Sequence, residues 1–271
     1  MRRRPATLHR LAGRALVVLL LGFLILPAAV VAIAAFNERA LLAFPPQGFS
    51  LRWFTKAFDY RDFQIGWHNG AIVMLAASSL AVVVGTGFAF VLDRYRFVGR
   101  GLIETLLLAP LVVPHFTVGL GFLLLAAQVG LMRGFTVVIA CHVVLVLPFV
   151  LRSVYISLRN LDRRLELAAE SLGARPARVL FTVTLPLLVP GIVSGFLFAA
   201  ILSFNEFTAS LFVTAQRTQT LPVAMYNYVR EYADPTMAAM SLIFILATTV
   251  LLTLANAVFG LGKVLNVDDG R

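Results

Sequence analysis

The sequence predicts an all-α integral membrane protein with six transmembrane helices. Of its 271 residues, 60% are hydrophobic and only 13% are charged, and the mean hydropathy is +0.90. These values lie far outside the usual range of soluble domains. The apolar residues also fall into six runs, each of about 20 residues or more, which is long enough for a helix to cross a bilayer. We therefore treat residues 1–271 as one transmembrane domain.

The chain is basic, with 23 Lys and Arg residues, 13 Asp and Glu residues and a net charge of +10. Such a charge can indicate nucleic-acid binding, but here the cations lie between apolar runs and follow no periodic face. Anchoring of loops at the membrane surface explains them better. Cys141 is the one cysteine and lies inside an apolar run. We therefore expect no internal disulfide and no metal site built on cysteine.

The first span is predicted over 15–36, after a segment, 1–14, that carries five arginines. A cleaved signal peptide is the alternative, because it also starts with basic residues and ends with small ones. Its apolar core is about 7 to 15 residues long, whereas a spanning helix needs roughly 20, as this run has. We predict an uncleaved span. In the polar connection that follows, 37–69, Ser50 can cap a short helix at the membrane surface.

The next three spans are predicted over 71–92, 102–127 and 135–158. The middle one of these contains Pro110 and Pro114, and proline bends or interrupts a membrane helix. We therefore expect kinks in it.

The last two spans are predicted over 187–213 and 237–261. Gly191 and Gly195 form a pair of small residues one helical turn apart, which favours close contact with another helix. Residues 214–236 form a polar return between the two spans, with tyrosines typical of a membrane interface.

A charged segment, 160–190, separates the fourth and fifth spans. Asp162 can cap a first short helix, and Gly173 supplies the left-handed residue at which helices often stop. Pro176 suits the first turn of a second helix, which we expect to end before Pro186. Apolar and small side chains fall on one face of the first helix, and its charged side chains lie elsewhere: Leu165, Ala168, Ala169 and Leu172. Small side chains let another protein approach the backbone, and we expect the charged residues to stay solvated, as in a docking helix.

The spacing of Ala168, Ala169, three residues, Gly173, nine residues and then Val183-Thr184-Leu185-Pro186 resembles the EAA loop of bacterial ABC importer permeases. The family pattern is Glu-Ala-Ala, three residues, Gly, nine residues, then Ile, any residue, Leu and Pro. Leu167 stands where the family usually has Glu, which leaves open which carboxylate makes the usual polar contact. The resemblance implies that these residues couple the chain to an ATPase: Glu166, Leu167, Ala168, Ala169, Glu170, Leu172, Gly173, Ala174, Leu185 and Pro186.

The same resemblance implies the type I ABC importer permease fold and a set of partners. In the family, two permeases pair, an ABC ATPase homodimer binds their EAA loops, and a periplasmic or lipid-anchored binding protein delivers the substrate. The chain has no Gly-x-x-x-x-Gly-Lys-Ser/Thr phosphate loop, so ATP and Mg are expected on the partner ATPase. We therefore expect a non-catalytic subunit without a cofactor that works by alternating access in the bacterial inner membrane.

The distribution of basic residues predicts the orientation. With the N-terminus in the cytoplasm, sixteen of the 23 Lys and Arg residues fall on the cytoplasmic side and seven on the other. Cytoplasmic loops carry the excess of Lys and Arg. We therefore expect both termini, and the loop at 160–186, in the cytoplasm.

One carboxylate, Glu206, lies well inside an apolar run, with Asn205 beside it. An intramembrane charge is costly, so we predict that both residues belong to the substrate pathway. The alternatives are a bond to a partner permease, or exposure because the span ends early. His115 follows a proline in the third span. We interpret it as a buried, hydrogen-bonded structural histidine, with a pathway role as the alternative.

The whole chain is similar to the spermidine/putrescine permease branch and to its PotC-like subunit, with the resemblance carried by residues 49–54, 94–97 and 218–222 and by the tyrosines that follow. This resemblance implies a polyamine or related cationic substrate and a heterodimer with a PotB-like permease, with a homodimer also possible. Similar permeases serve ferric iron, phosphonates and other small solutes, so these substrates stay open.

Two other classes of protein fit less well. A membrane enzyme needs a cluster of catalytic residues, but the four histidines are scattered along the chain. An ion-coupled secondary transporter typically shows internal repeats and several intramembrane charges. The sequence shows one such carboxylate and no clear repeat.

Overall fold

The computed structural model describes the backbone of residues 5–41 and 44–259, and the side chains of 12–41 and 44–253. Helices make up most of this part of the chain. They are α1 (Pro5–Ala34), α2 (Arg52–Asp59), α3 (Arg61–Arg94), α4 (Arg100–Leu108), α5 (His115–Gln128), α6 (Phe135–Asn160), α7 (Arg164–Ser171), α8 (Pro176–Val179), α9 (Leu185–Phe204), α10 (Ser210–Val213), α11 (Leu221–Glu231) and α12 (Thr236–Phe259). A 3-10 turn (Ala109–Leu111) follows α4, and a π-turn (Leu180–Thr184) joins α8 to α9.

Five spans in the described part are long and apolar enough to cross a membrane, and the bent pair of α4 and α5 makes a sixth if it is counted as one. The predicted all-helical membrane fold is therefore confirmed. The last predicted span, 237–261, corresponds to α12. Its final two residues, 260–261, lie outside the described residues, as do residues 1–4 of the predicted basic segment.

The third predicted span, 102–127, is two helices in the structure. The segments on either side of the break meet at a bend of 105°. Pro110 lies in the 3-10 turn, and Pro114, with an extended ψ of 134°, immediately precedes α5. Proline lacks the N–H that a continuing helix needs, and it disfavours helical geometry in the residue before it. The two prolines together turn the expected kink into a break.

The fifth predicted span, 187–213, begins earlier than expected. The structure shows one span from Pro176 to Phe204 that includes the π-turn, so the prediction that the second loop helix ends before Pro186 is wrong. A π-turn interrupts the regular hydrogen bonding of an α-helix. Pro186, which has no N–H to donate and needs extra space, follows directly after this wider turn.

The same span ends at Phe204 and not at the predicted Val213. The side-chain amide of Asn205 donates a hydrogen bond back to the carbonyl oxygen of Ile201 at 2.8 Å, which closes the last turn. Glu206 therefore lies in the connection between α9 and α10.

The contact between α6 and α9 depends on the predicted pair of glycines. A Cβ at Gly191 would lie 2.0 Å from the Ser157 hydroxyl oxygen, and one at Gly195 would lie 3.1 Å from the Cα of Val150. Ser153 also donates a hydrogen bond to the Gly191 carbonyl at 2.8 Å. The close helix contact predicted for these glycines is therefore confirmed.

The described chain forms two compact units. One comprises residues up to 61 together with 225–247, and the other comprises 62–224 together with 248–259. Both sites predicted from the sequence lie in the second unit.

In the first unit a polar cluster surrounds Asp234. The Lys56 ammonium lies 2.6 Å from this carboxylate, and the Tyr228 hydroxyl donates to it at 3.0 Å. The hydrogen bond from the Lys56 ammonium to the Asp234 carboxylate raises the pKa of Lys56. Burial raises the pKa of Asp234, but the bonds from Lys56, Thr236 and Tyr228 outweigh it and leave that pKa below its ordinary value. Burial likewise raises the pKa of Tyr228.

Candidate coupling loop and intramembrane cluster

Local hydrogen bonds define both ends of α7. The Asp162 carboxylate accepts a hydrogen bond from the Arg164 N–H at 2.9 Å near the start of the helix. At the other end Gly173 has a φ of +87°. Its N–H donates to the Glu170 carbonyl at 2.9 Å, and the next N–H, of Ala174, donates to the Ala169 carbonyl at 3.1 Å. These two bonds form a Schellman motif, which confirms the predicted stop at Gly173.

Glu166 is the buried carboxylate of this loop, with 9% of its surface exposed. Its two oxygens lie 2.5 and 2.6 Å from Nη2 of Arg94, the last residue of α3. The Thr184 hydroxyl, in the π-turn, donates to the same carboxylate at 2.5 Å. One side chain therefore joins α7 to the end of α3 and to the helix that leads into α9.

The burial of Glu166 corrects one expectation from the sequence. We expected the charged residues of α7 to be solvated, but a carboxylate can be buried where an arginine and a hydroxyl satisfy it. Arg94 is only 17% exposed in its side chain. A second pair nearby, between Arg163 and Asp93 at 2.9 Å, involves an arginine that is 58% exposed. Solvent screens such a pair, so Glu166 contributes more to fixing the helix.

Most of α7 other than Glu166 is exposed. Leu167 is 60% exposed and Leu172 is 89% exposed. The exposed set predicted for coupling is Leu167, Ala168, Glu170, Leu172 and Gly173, together with Pro186 at the start of α9. Half-buried positions are Ala169, Ala174 and Leu185. The loop thus presents an apolar surface on one side and is fixed through Glu166 on the other.

The two predicted pathway residues are placed differently. Asn205 is exposed, and its amide is bonded to its own helix. Glu206 is buried, with 8% of its surface exposed. Its Oε1 accepts a hydrogen bond from the Ala209 N–H at 2.8 Å, and its Oε2 lies 2.6 Å from Nδ1 of His115. The His115 side chain is 45% exposed, so the expectation that it is buried is wrong, whereas the expected hydrogen bond is present.

A second histidine continues this polar cluster into the protein. His142 is completely buried, and its two ring nitrogens each lie 2.8 Å from a hydroxyl, Nδ1 from Ser203 and Nε2 from Ser210. The Ser210 hydroxyl donates its one proton to the Glu206 carbonyl at 2.9 Å. It must therefore accept from Nε2–H, so the network places a proton of His142 on Nε2. Nδ1 lies within hydrogen-bond distance of the Ser203 hydroxyl.

A small cavity of about 50 Å³ lies beside this cluster. Its lining is polar on one side and apolar on the other: His115, His142, Ser203 and Glu206, with Leu145, Val146, Phe149 and Leu202. A larger groove of about 720 Å³ between α6 and α9 has the exposed Arg152 on its wall. The same groove is also lined by the exposed Asp162, so a cationic and an anionic side chain share it, whereas among the described residues Glu206 is the one carboxylate on the wall of the small cavity.

Among the described residues no three His, Cys, Asp or Glu side chains form a group that could hold a metal ion. The sequence analysis also missed several partners. Arg94 stood among three arginines of a short turn, and nothing in the spacing linked it to Glu166. Ser203, Ser210 and Thr184 carry no motif. Only the break at Pro110 and Pro114 indicated that a helix end lies near His115.

The family model for the inner membrane component of binding-protein-dependent transport systems matches residues 81–260. The chain therefore belongs to this family of non-catalytic transport permeases of the inner membrane.

Individual relatives show which transport permeases the chain is similar to. The putrescine permease PotI of Escherichia coli K12 is 34% identical, with 83% of each chain covered. The spermidine/putrescine permease PotC of Haemophilus influenzae is 29% identical, with 88% of this chain and 92% of that protein covered. The molybdenum permease ModB of Haemophilus influenzae is 36% identical over 68% of this chain and 86% of its own length.

Solved structures show the same fold. A bacterial ABC transporter involved in the import of the acidic polysaccharide alginate matches with a TM-score of 0.72 and 13% identity, covering 95% of this chain and 98% of its own. The MetNI methionine ABC transporter, in inward-facing conformations, matches with a TM-score of 0.60 and 17% identity, covering 72% and 93%. The arrangement of spans in the described part of the chain is thus the permease fold of ABC importers.

Proposed function

We propose that this chain is a permease subunit of an ATP-driven, binding-protein-dependent importer for putrescine, spermidine or a related cationic solute. Two of its relatives are polyamine permeases, of which it covers 92% and 83% of the length. The buried Glu206, which can attract a cation, supports the same class of substrate.

The observation that carries the transport mechanism is the arrangement of α7. Its apolar face is exposed while Glu166 fixes its other face to α3 and to the π-turn. An ABC ATPase homodimer would dock on the exposed face, and a displacement of α7 would reach the spans through Glu166. ATP and Mg would be bound by that ATPase and not by this chain. Rigid-body movement of the spans would then expose the solute site to alternate sides.

Further partners and the orientation follow from the family likeness and from the distribution of charge. The second permease would be PotB-like, or a second copy of this chain. A periplasmic or lipid-anchored binding protein would deliver the solute. Both termini and α7 would lie in the cytoplasm, because the side that holds α7 carries most of the basic residues.

Asn205 and Glu206 would form part of the solute pathway. The break between α9 and α10 holds a buried carboxylate next to the end of a spanning helix, and breaks in spanning helices are common at transporter binding sites. Asn205 is exposed one residue before it and could contribute its amide oxygen.

A molybdenum oxyanion is the second candidate, because the ModB relative has the highest of the three identities given above. A buried carboxylate in the pathway opposes an anion, so we place this candidate second. The loop that couples to the ATPase would be the same in both cases.

The test is ATP hydrolysis by the complex of this subunit with its co-purifying permease and ATPase, reconstituted in proteoliposomes. We expect stimulation by binding protein loaded with putrescine or spermidine, and none by the same protein without solute. Stimulation by a molybdate-loaded binding protein alone would contradict the polyamine assignment. A complex that purifies without any ATPase would contradict the importer assignment itself.

A further inference from the structure

Two interrupted helices meet at the Glu206 carboxylate. The break between α4 and α5 ends at His115, and the break between α9 and α10 contains Glu206. One turn along α5, a Cβ at Gly119 would lie 2.7 Å from both the Cα and the carbonyl oxygen of Ala209. The start of α5 is therefore packed directly on the second break. Side chains at both breaks face each other across the 2.6 Å contact between His115 and Glu206.

The carboxylate has capacity for a further donor. A carboxylate offers about four lone-pair positions, and Glu206 receives one backbone N–H and one imidazole contact. The cavity beside it measures about 50 Å³. A water molecule occupies about 30 Å³ in the liquid, so one group of that size fits. A primary ammonium group is of comparable size.

The walls of the cavity match an alkylammonium in particular. Glu206 and the Ser203 hydroxyl oxygen supply acceptors at one end, and apolar side chains, among them Leu145 and Leu202, line the rest. His142 uses both ring nitrogens within the protein, so it offers no spare donor that would repel a cation. The methylene groups of an alkylammonium would be removed from water against these apolar walls, which is favourable, and they need no hydrogen-bond partners.

The two members of the His115–Glu206 pair differ in their freedom to move. The Glu206 side chain is 9% exposed and is held by the Ala209 N–H, whereas the His115 side chain is 45% exposed. An imidazole that leaves this contact can be solvated, but a carboxylate left alone in the interior is costly. His115 is therefore the displaceable partner.

We propose that Glu206 binds a primary ammonium group of the transported solute in exchange for the His115 imidazole. This inference rests on the proposed transport of a cationic amine. It assigns His115 to the transport cycle as the side chain that satisfies Glu206 when no solute is bound. His115 thereby sets the affinity of the site by competing with the solute for Oε2.

The test uses the whole complex in proteoliposomes with its binding protein, with putrescine as the transported probe. Glu206→Gln keeps the shape of the side chain and removes its charge, and we expect KM to rise about tenfold to a hundredfold, the range for a charged hydrogen bond. His115→Lys places a permanent cation on the same oxygen, so we expect KM to rise about tenfold. In His115→Gln the glutamine amide competes with putrescine for the Glu206 carboxylate less strongly than imidazole does. The KM of this variant for putrescine should therefore equal or fall below that of the wild type.

A matched control lies on the same helix. Thr117, two residues after His115, is exposed, and Thr117→Ala should transport putrescine with the wild-type KM. Butylamine should inhibit wild-type uptake more strongly than butanediol, because only the amine carries an ammonium group. A disturbed fold would lower the amount of complex and kcat in both His115 variants alike, whereas the exchange moves their KM values apart.

The outcomes separate this inference from the proposed function. Equal KM values for His115→Lys and His115→Gln in a complex that transports putrescine would overturn the exchange and leave the importer assignment intact. A Glu206→Gln variant with the wild-type KM would likewise overturn the exchange and leave the importer assignment intact. If the wild-type complex transports no amine at all, the proposed substrate class is wrong and the exchange is overturned with it.

Discussion

Glu166 in the coupling loop and Glu206 in the membrane cluster are both buried carboxylates, yet they are bonded in different ways. Glu166 is held by Arg94, which is always charged and largely buried, and by the Thr184 hydroxyl. Glu206 is held by one backbone N–H and by the exposed His115. The first site is a permanent joint between three helical segments, and the second has a partner that can leave. This difference fits the two roles proposed above, Glu166 in transmitting movement and Glu206 in binding solute.

The largest effect is expected from removing the permanent joint. Glu166→Ala leaves Arg94 with only the Asp93 carboxylate, whose Oδ2 lies 3.7 Å from Nε. Breaking a buried ion pair such as the one between Arg94 and Glu166 costs about 3 kcal/mol. We expect a lower midpoint of thermal unfolding and at least a tenfold loss of co-purified ATPase, because α7 is no longer fixed. Arg164→Ala removes an exposed charge from the same helix and is the control. Wild-type amounts of ATPase bound to Glu166→Ala would show that Glu166 is not the joint.

A smaller effect is expected where α5 packs on the break that contains Glu206. In Gly119→Ala the new methyl group would meet the Ala209 backbone at 2.7 Å. Such overpacking costs about 1–3 kcal/mol and should also raise the KM for the transported solute, because the partner of Glu206 shifts. Gly121→Ala, on the same helix with nothing within 4 Å, is the control. Identical unfolding midpoints and KM values for the two variants would mean that this contact does not support the site.

The smallest effect is expected at Lys56 and Asp234, a pair whose lysine is 47% exposed. The lowered pKa of Asp234 stabilises the fold above the ordinary carboxyl pKa, and this contribution is lost as the pH falls through the lowered value. The raised pKa of Lys56 stabilises it below the ordinary lysine pKa, and this contribution is lost as the pH rises through the raised value.

Solvent screening limits the Lys56–Asp234 pair to less than about 1 kcal/mol. The difference in unfolding midpoint between the wild type and Asp234→Asn should be largest between those two ordinary pKa values and should shrink at both extremes. A difference that stays constant with pH would contradict the ion pair. The comparison with Glu166→Ala then measures how much burial adds to such a pair.

Features that depend on neighbouring residues could be predicted from the sequence. Gly173 ends α7 because a left-handed residue is needed there, and Gly191 lies against α6 because a spanning helix with small residues packs closely. The family spacing around the same glycine indicated the permease fold. The helix stop and the glycine pair act over one or two helical turns, and the family spacing lies within one continuous segment. For such features the order of residues is sufficient information.

Contacts between distant segments could not be predicted. Arg94 lies 72 positions before Glu166, and His115 lies 91 positions before Glu206. Nothing in the spacing of these residues shows that they meet. The bend of 105° before His115 results from the combined effect of Pro110 and Pro114 on the backbone. The sequence indicated only that kinks would occur. The end of α9 at Phe204 depends on the side chain of Asn205, which a hydrophobic run does not reveal.

The most direct test of the separate roles is to measure uptake and ATP hydrolysis together in proteoliposomes, for Glu166→Gln and Glu206→Gln beside the wild type. We predict that Glu206→Gln raises the KM for solute, and that Glu166→Gln raises the number of ATP molecules hydrolysed per solute transported. If both variants change the same one of these two quantities, the two carboxylates share one role and the distinction between them is wrong.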